Sequence, residues 1–287
     1  MSLSFICERT FDVNGLTFTA KEWGSPGYKP VIALHGWLDN AASFDLMLPF
    51  LSDMHVIALD CAGHGGSSFR SADSGYNIWQ DIAEVLGVAD LMGWDQFALL
   101  GHSRGAIIST LIAGAFPDRI SHAALIDGYM PGLADAKGTA VQLAKSVYEA
   151  KRFGGASPSF FPDFDRAVQA RVNGFIPLKE AAAAILAQRG VRQHERGFYW
   201  HTDQRLKAAS QLKLTRDHMQ DFFSSVIAPV MLIQAEDSGF KPDAQQDETF
   251  SWITNFRLLK MPGSHHLHME EQAEQVAAEV QKFILPA

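Results

Sequence analysis

The 287-residue chain is poor in cysteine, in positive charge and in long apolar runs. Its two cysteines, Cys7 and Cys61, are too few for a disulfide framework, which predicts reduced thiols and a cytoplasmic location. A net charge of −8 disfavours nucleic-acid binding, which needs a basic surface for phosphates. No stretch approaches the ~18 apolar residues of a membrane span, and no signal-peptide pattern begins the chain. We therefore expect a protein that neither binds nucleic acid nor inserts into a membrane.

The sequence does contain a regular alternation of short apolar runs and longer amphipathic stretches. The hydrophobic share of 47% and charged share of 20% are those of an ordinary globular protein. The amphipathic stretches Trp79–Met92 and Arg104–Phe116 have the length of helices that connect parallel strands. The buried strands are predicted at Val31–Leu34, His55–Leu59, Phe97–Leu100, Ala123–Ile126, Val230–Ile233 and Phe256–Leu259.

Two further strands are predicted near the N-terminus and one helix near the C-terminus. Phe5–Val13 and Leu16–Trp23 flank Asn14-Gly15, a strong signal for a two-residue hairpin turn. Glu270–Ile284 is rich in helix-forming residues. The fold class is therefore α/β, a mostly parallel sheet of about eight strands flanked by helices.

The alternation stops after Pro131 and resumes near Pro229. We interpret residues 132–225, with their aromatic residues and Gly and Pro breaks, as a largely helical cap inserted into a core of residues 1–131 and 226–287. The cap carries 14 Lys and Arg against 9 Asp and Glu, whereas the rest of the chain carries 10 against 23. The preferred explanation is that the two faces complement each other, and the alternative is that the cap attracts an anionic substrate.

A Gly-x-Ser-x-Gly motif at residues 101–105 marks a candidate nucleophile. The motif follows the predicted strand Phe97–Leu100 and opens the predicted helix Arg104–Phe116, the strand–turn–helix context that a nucleophile elbow requires. The helix N-terminus places free N–H groups and the positive end of the dipole beside Ser103. We predict that Ser103 is a catalytic nucleophile rather than a helix-capping serine.

Two glycine-containing loops follow the earlier predicted strands Val31–Leu34 and His55–Leu59. In His35-Gly36-Trp37, the backbone N–H of Trp37 is predicted to form an oxyanion hole with that of Arg104, while His35 has a structural role. The loop at residues 60–67 lacks the Gly-Lys-Ser/Thr ending of a phosphate loop, so nucleotide binding is not expected.

A base and an acid are needed to activate a serine, and the chain order Ser…Asp/Glu…His requires a late histidine. His265 and His266 follow the last predicted strand, and His265 is preferred because it comes first in the loop. The histidine cluster lacks a carboxylate or cysteine grouping nearby, so no metal is predicted. Asp127 and Asp237 each follow a strand between the serine and the histidine, and either could be the acid.

Six stretches of the chain share their pattern with one known family: His35 to Asp45, Gly63-His64-Gly65, Gly101-His102-Ser103, Leu186–Gly190, Asp203–Leu206 and Gly263–Met269. In these stretches the chain resembles the serine hydrolase-like protein family, a branch of the α/β-hydrolases. The resemblance implies a Ser–His–acid hydrolase in which Gly263-Ser264-His265 supplies the base. It also favours Asp127 as the acid, because members of this branch do not reliably keep an acid near Asp237. Arg104 departs from the family, whose members usually have an apolar residue there; a carboxylate partner is expected for its side chain.

These observations predict a hydrolase that needs no cofactor or metal and acts on a small-molecule acyl substrate with water. Ser103 attacks an ester-like carbonyl, and water releases the acyl-enzyme. The aromatic residues of the cap predict an apolar pocket. The alternatives are carbon–carbon bond hydrolysis or acyl transfer by the same groups, and a receptor that keeps the fold without turnover.

Overall fold

The computed structural model describes residues 2–239 and 248–285, in which ten strands and seven α-helices are numbered in chain order. Eight strands form one sheet in the order β1-β2-β4-β3-β5-β6-β9-β10, and β7 and β8 form a separate hairpin. The strands are β1 Phe5–Val13, β2 Leu16–Gly24, β3 Lys29–Leu34, β4 Met54–Leu59, β5 Phe97–His102, β6 Ile120–Ile126, β7 Val191–His194, β8 Gly197–Trp200, β9 Val230–Ala235 and β10 Phe256–Met261. The helices are α1 Ile78–Leu91, α2 Arg104–Ala115, α3 Thr139–Gly154, α4 Phe164–Val172, α5 Glu180–Gly190, α6 Arg216–Ser224 and α7 Ala273–Ile284.

The large sheet is mostly parallel, as the sequence predicts. β1 pairs with β2 antiparallel, β2 pairs with β4 antiparallel, and the pairs from β4 through β10 are parallel. Asn14 and Gly15 both have positive φ, 52° and 79°, the conformation that a tight two-residue hairpin turn needs. Each predicted strand of the sheet lies within an observed one or matches it to within a residue.

Both faces of the sheet are covered, which explains why its inner strands are almost continuously apolar. Alternate residues of β3 illustrate this, because Ile32 packs into a cluster with α1, α2 and α6, whereas Val31 packs into a cluster with α7. All six residues of β4, β5 and β9 are buried. The carboxyl ends of these strands therefore lie on a rigid base from which the following loops project.

Residues 132–225, here called the inserted segment, contain α3 to α6 and the β7–β8 hairpin. The hairpin was not predicted from the sequence, and it is supported by Phe161, whose backbone pairs with Phe198. Part of the segment has its own apolar cluster, to which Ala167 of α4 and Leu186 of α5 contribute. α6 instead packs on the sheet layer, since its Met219 and Phe223 join the cluster of α1 and α2.

Partly buried polar contacts attach the inserted segment to the loops at the carboxyl edge of the sheet. Arg189 of α5 bonds both carboxylate oxygens of the fully buried Asp60, at 3.0 Å each. The Tyr76 hydroxyl donates to Asp203 at 2.7 Å, and Asp203 also pairs with Arg205. Arg189, Asp203 and Arg205 belong to the two motifs that carry the family resemblance in this segment, so those motifs fix the segment above the sheet edge.

No α-helix among the described residues is both long enough and apolar enough to cross a membrane.

Candidate active site

Ser103 lies in the sharp turn between β5 and α2, where the sequence predicts a nucleophile elbow. Its φ of 51° and ψ of −113° are unfavourable for a residue with a side chain, and its N–H donates to the Ile126 carbonyl at 2.9 Å. Gly101 and Gly105 are required, because a Cβ at Gly101 would lie 2.5 Å from the Ala106 Cα and one at Gly105 would lie 2.0 Å from the Leu34 carbonyl oxygen. The two glycines of the motif thus allow the turn that presents Ser103.

The structure brings His265 and Asp127 into direct contact. His265 Nδ1 lies 2.6 Å from Asp127 Oδ2, and both residues are buried. The Asp127 carboxylate also accepts the Ala235 N–H at 2.9 Å and the Ser238 hydroxyl. Asp127 has a positive φ of 44° directly after β6, which turns its side chain toward the β9 loop. These contacts hold the Nδ1–H of His265 on the carboxylate and leave Nε2 as the basic nitrogen.

Asp237, the other candidate acid, is not the aspartate whose carboxylate contacts His265. Its side chain is exposed, and its backbone N–H donates to the Gly263 carbonyl at 3.1 Å. This hydrogen bond joins the β9 loop to the histidine loop, and the aspartate whose carboxylate contacts His265 is Asp127.

His266, the other candidate base, belongs to a separate buried network. Its Nε2 lies 3.3 Å from Asp39 Oδ2, and Asp39 Oδ1 accepts from Arg171 Nη2 at 2.8 Å. Burial would raise the pKa of Asp39, but His266, Arg171 and His102 together hold it well below its usual range. Asp39 is therefore a carboxylate that links α4, the loop after β3 and the histidine loop.

His102 lies between the two networks in its neutral form. Its Nε2 donates to the His265 carbonyl oxygen at 3.0 Å. Burial, with His268, His265 and His266 nearby, lowers the pKa of His102 well below its usual value. The ligand atoms of His102, His265 and His266 lie within 4.8 Å of one another, a spacing that a metal ion could use. The guanidinium of Arg171 already neutralises Asp39 there, which disfavours a second cation.

The two predicted oxyanion donors occupy the loop after β3 and the start of α2. Within the described residues, the backbone N–H groups of Trp37 and Arg104 donate to no protein acceptor. The Arg104 side chain is turned away to Asp81, at 2.5 Å, the kind of carboxylate partner expected for it. His35 is structural, since its Nε2 accepts the Cys61 N–H at 3.0 Å.

Two cavities meet at Trp37, beneath the inserted segment. The first, of about 240 Å³, is mainly apolar; its lining includes Phe161, Phe175 and Trp200. The second, of about 390 Å³, extends from Trp37 along Arg104 and Trp79. The indole Nε1 of Trp37 donates to the Leu206 carbonyl at 2.9 Å and so holds the ring between the cavities. A substrate placed against the Trp37 N–H would have space on both sides.

The sequence reasoning missed the contribution of Asp39 and Arg171. Asp39 stands inside the stretch that carries the family resemblance, two residues after Trp37, so its position was a usable signal. Arg171 had no such signal, because its partner lies 132 positions away in the chain. This pair connects the inserted segment to the loop that carries the predicted oxyanion donor.

Replacing Asp39 by asparagine should lower the free energy of unfolding by about 3 kcal/mol at neutral pH, because it leaves the partly buried Arg171 charge without its counter-ion. The depressed pKa of Asp39 means that its contribution is present above the ordinary carboxyl pKa of about 4 and is lost as the pH falls below it. Urea unfolding at several pH values measures this. The exposed Asp118→Asn is the matched control, and equal stability of both variants at pH 7 would refute the role of Asp39.

Comparisons with known proteins agree with this architecture. The model of the α/β hydrolase fold family matches residues 29–272. Serine hydrolase-like protein 2 of Homo sapiens is 29% identical in sequence, and the match covers 92% of this chain and 90% of the human protein. A serine hydrolase-like protein of Danio rerio is 26% identical, with 92% and 84% covered. The crystal structure of a hypothetical protein from Pseudomonas aeruginosa PAO1 superposes with a TM-score of 0.91, and its sequence is 37% identical to this one. The match covers 97% of this chain and 98% of the other. The chain therefore belongs to the α/β-hydrolase superfamily, within which it is similar over most of its length to the serine hydrolase-like proteins.

Proposed function

We propose that this hydrolase cleaves a carboxylic ester or a related acyl substrate through a triad of Ser103, His265 and Asp127. The observation that carries the proposal is the 2.6 Å contact between His265 Nδ1 and Asp127 Oδ2, in a chain whose elbow presents Ser103. Asp127 fixes the tautomer of His265 and stabilises its protonated form once the serine proton has been taken.

The proposed reaction has two stages, formation of an acyl-enzyme and its hydrolysis. Ser103 Oγ attacks the carbonyl carbon while His265 Nε2 takes the hydroxyl proton. The oxyanion that forms accepts hydrogen bonds from the N–H groups of Trp37 and Arg104, and the N-terminus of α2 favours the negative charge. His265 returns the proton to the leaving group, and water, deprotonated by His265, releases the acyl-enzyme.

The inserted segment serves in this proposal as a cap that shields the reaction from bulk water. The contact between Asp60 and Arg189 and the hydrogen bond from Trp37 Nε1 to the Leu206 carbonyl hold the cap in place. The cavity lined by Phe161 and Trp200 would accept an apolar acyl or aryl group of small to medium size.

Hydrolysis of p-nitrophenyl esters over a series of acyl lengths, with wild type beside Ser103→Ala, tests the proposal. We expect turnover by the wild type that peaks at a short or medium acyl chain and disappears in the variant. Absence of turnover at any length, together with steady retention of a ligand, would instead support a receptor without catalysis.

A further inference from the structure

The two cavities at Trp37 share an unusual charge pattern. Among the described residues that line them, none is acidic and four are basic: Arg104, Arg171, Lys207 and Lys213. This one-sided lining occurs in a protein whose net charge is −8. An acidic protein that keeps carboxylates away from the cavities beside its predicted oxyanion donors, Trp37 and Arg104, creates a local positive potential there.

The two arginines do not account for this potential, because each already has a carboxylate partner. Arg104 pairs with Asp81 at 2.5 Å, and Arg171 pairs with Asp39 at 2.8 Å. The charge of each guanidinium group is therefore balanced by a carboxylate of the protein itself.

The two lysines that line the cavities, Lys207 and Lys213, differ from the arginines because they form no ion pair with a described carboxylate. Lys207 borders both cavities, and its Nζ donates to the uncharged side-chain oxygen of Gln204 at 2.7 Å. Lys213 borders the second cavity, and in the described part of the chain no carboxylate lies within 4.0 Å of either ammonium group. By contrast, Lys145 and Lys179 of the same inserted segment pair with Glu149 and Glu271. Two exposed lysines without a carboxylate partner among the described residues thus line the cavities.

The inserted segment has five more basic than acidic residues, and much of this excess is balanced by carboxylates of the core. Arg171, Lys179, Arg189 and Arg216 pair with Asp39, Glu271, Asp60 and Glu248. Lys207 and Lys213 have no such partner in the part of the chain that the structure describes, so they remain to attract an anionic molecule to the two cavities.

We infer that the natural substrate is an anionic acyl compound, carrying a carboxylate or phosphate that Lys207 and Lys213 bind while Trp37 lies beside the scissile carbonyl. The inference rests on the proposed hydrolase function and specifies its substrate class. The apolar part of the substrate occupies the aromatic cavity, and the negative charge lies toward the lysines that line the cavities. No step of the proposed reaction changes.

Matched esters test this inference. On the acyl side, 4-nitrophenyl hexanoate is compared with mono-4-nitrophenyl adipate, which has a carboxylate in place of the terminal methyl group. On the leaving-group side, 4-nitrophenyl hexanoate is compared with its 3-carboxy-4-nitrophenyl analogue. After correction for the rate with hydroxide alone, we expect kcat/KM to be roughly tenfold higher for the anionic ester in at least one pair. The preference for the anionic ester should fall as the sodium chloride concentration is raised, because salt screens the attraction between the lysines and the anionic ester.

Variants connect the preference to the lysines. Lys207→Gln and Lys213→Gln should each lower the anionic-to-neutral ratio of kcat/KM roughly threefold or more. Lys137→Gln makes the same change of charge at an exposed position of the inserted segment outside both cavities, and it should leave the ratio unchanged. Equal ratios in all three variants, or no preference in either pair of esters, would overturn the inference.

This failure can be told apart from failure of the proposed function. Turnover of neutral esters without an anionic preference leaves the hydrolase intact and rejects the substrate class. If no ester is turned over, calorimetry with Ser103→Ala and the N-phenyl amides of adipic and hexanoic acid still measures selectivity. Tighter binding of the adipic amide supports the inference, and equal binding rejects it.

Discussion

Replacement of Ser103 by alanine is expected to lower kcat for a p-nitrophenyl ester by about 10⁴- to 10⁶-fold, as loss of a serine nucleophile does in other hydrolases. The variant should still fold, because alanine keeps the Cβ and the backbone bond from residue 103 to the Ile126 carbonyl. It should still bind substrate, because the Trp37 and Arg104 N–H groups are unchanged. Steady-state kinetics with circular dichroism measures both properties.

Ser109→Ala is the matched control for this change. Ser109 lies six residues after Ser103 in α2, where its hydroxyl donates to the Gly105 carbonyl at 2.8 Å. Loss of such a bond within a helix has little effect on stability. We expect ester hydrolysis close to wild type in the control. Similar kcat values in wild type and Ser103→Ala would show that another group attacks the substrate.

Replacement of Asp127 by asparagine is expected to lower kcat by about 10³- to 10⁴-fold, because the amide favours the wrong tautomer of His265. Asparagine suits the position otherwise, since it tolerates the positive φ of 44° and can still accept the Ala235 N–H. The effect should therefore appear in kcat without a large loss of stability. Kinetics across pH, together with urea unfolding, separates the two.

Asp237→Asn makes the same chemical change at the exposed aspartate that follows β9. We expect it to retain nearly full activity. Full activity in Asp127→Asn combined with a severe loss in Asp237→Asn would exchange the two assignments.

The sheet and the position of Ser103 could be predicted because the signals are local. The strands are buried on both faces, so they appear in the sequence as continuous apolar runs such as Val31–Leu34. The elbow has a fixed spacing imposed by backbone contacts at Gly101 and Gly105. Neither signal depends on knowing which distant parts of the chain meet.

The choice between Asp127 and Asp237 could not be made from the residues alone. Both follow strands at the same edge of the sheet, and the difference lies in backbone geometry. The positive φ of Asp127 and its bonds to Ala235 and Ser238 direct its carboxylate to His265, and no sequence pattern reports these angles. The family resemblance favoured the aspartate that the structure brings to His265.

Parts of the inserted segment were also beyond the sequence. The hairpin β7–β8 has only four residues in each strand and is stabilised by pairing of its Phe198 with Phe161, 37 positions earlier. The Asp39–Arg171 contact likewise joins two distant segments. Such features depend on tertiary contacts rather than on local propensity.

The most direct test of the account is labelling of the protein with a fluorophosphonate, followed by mass spectrometry of its peptides. The account predicts one covalent adduct on Ser103 that is absent from Ser103→Ala and forms much more slowly in Asp127→Asn. No adduct on wild type, or an adduct on another residue that persists in Ser103→Ala, would contradict it.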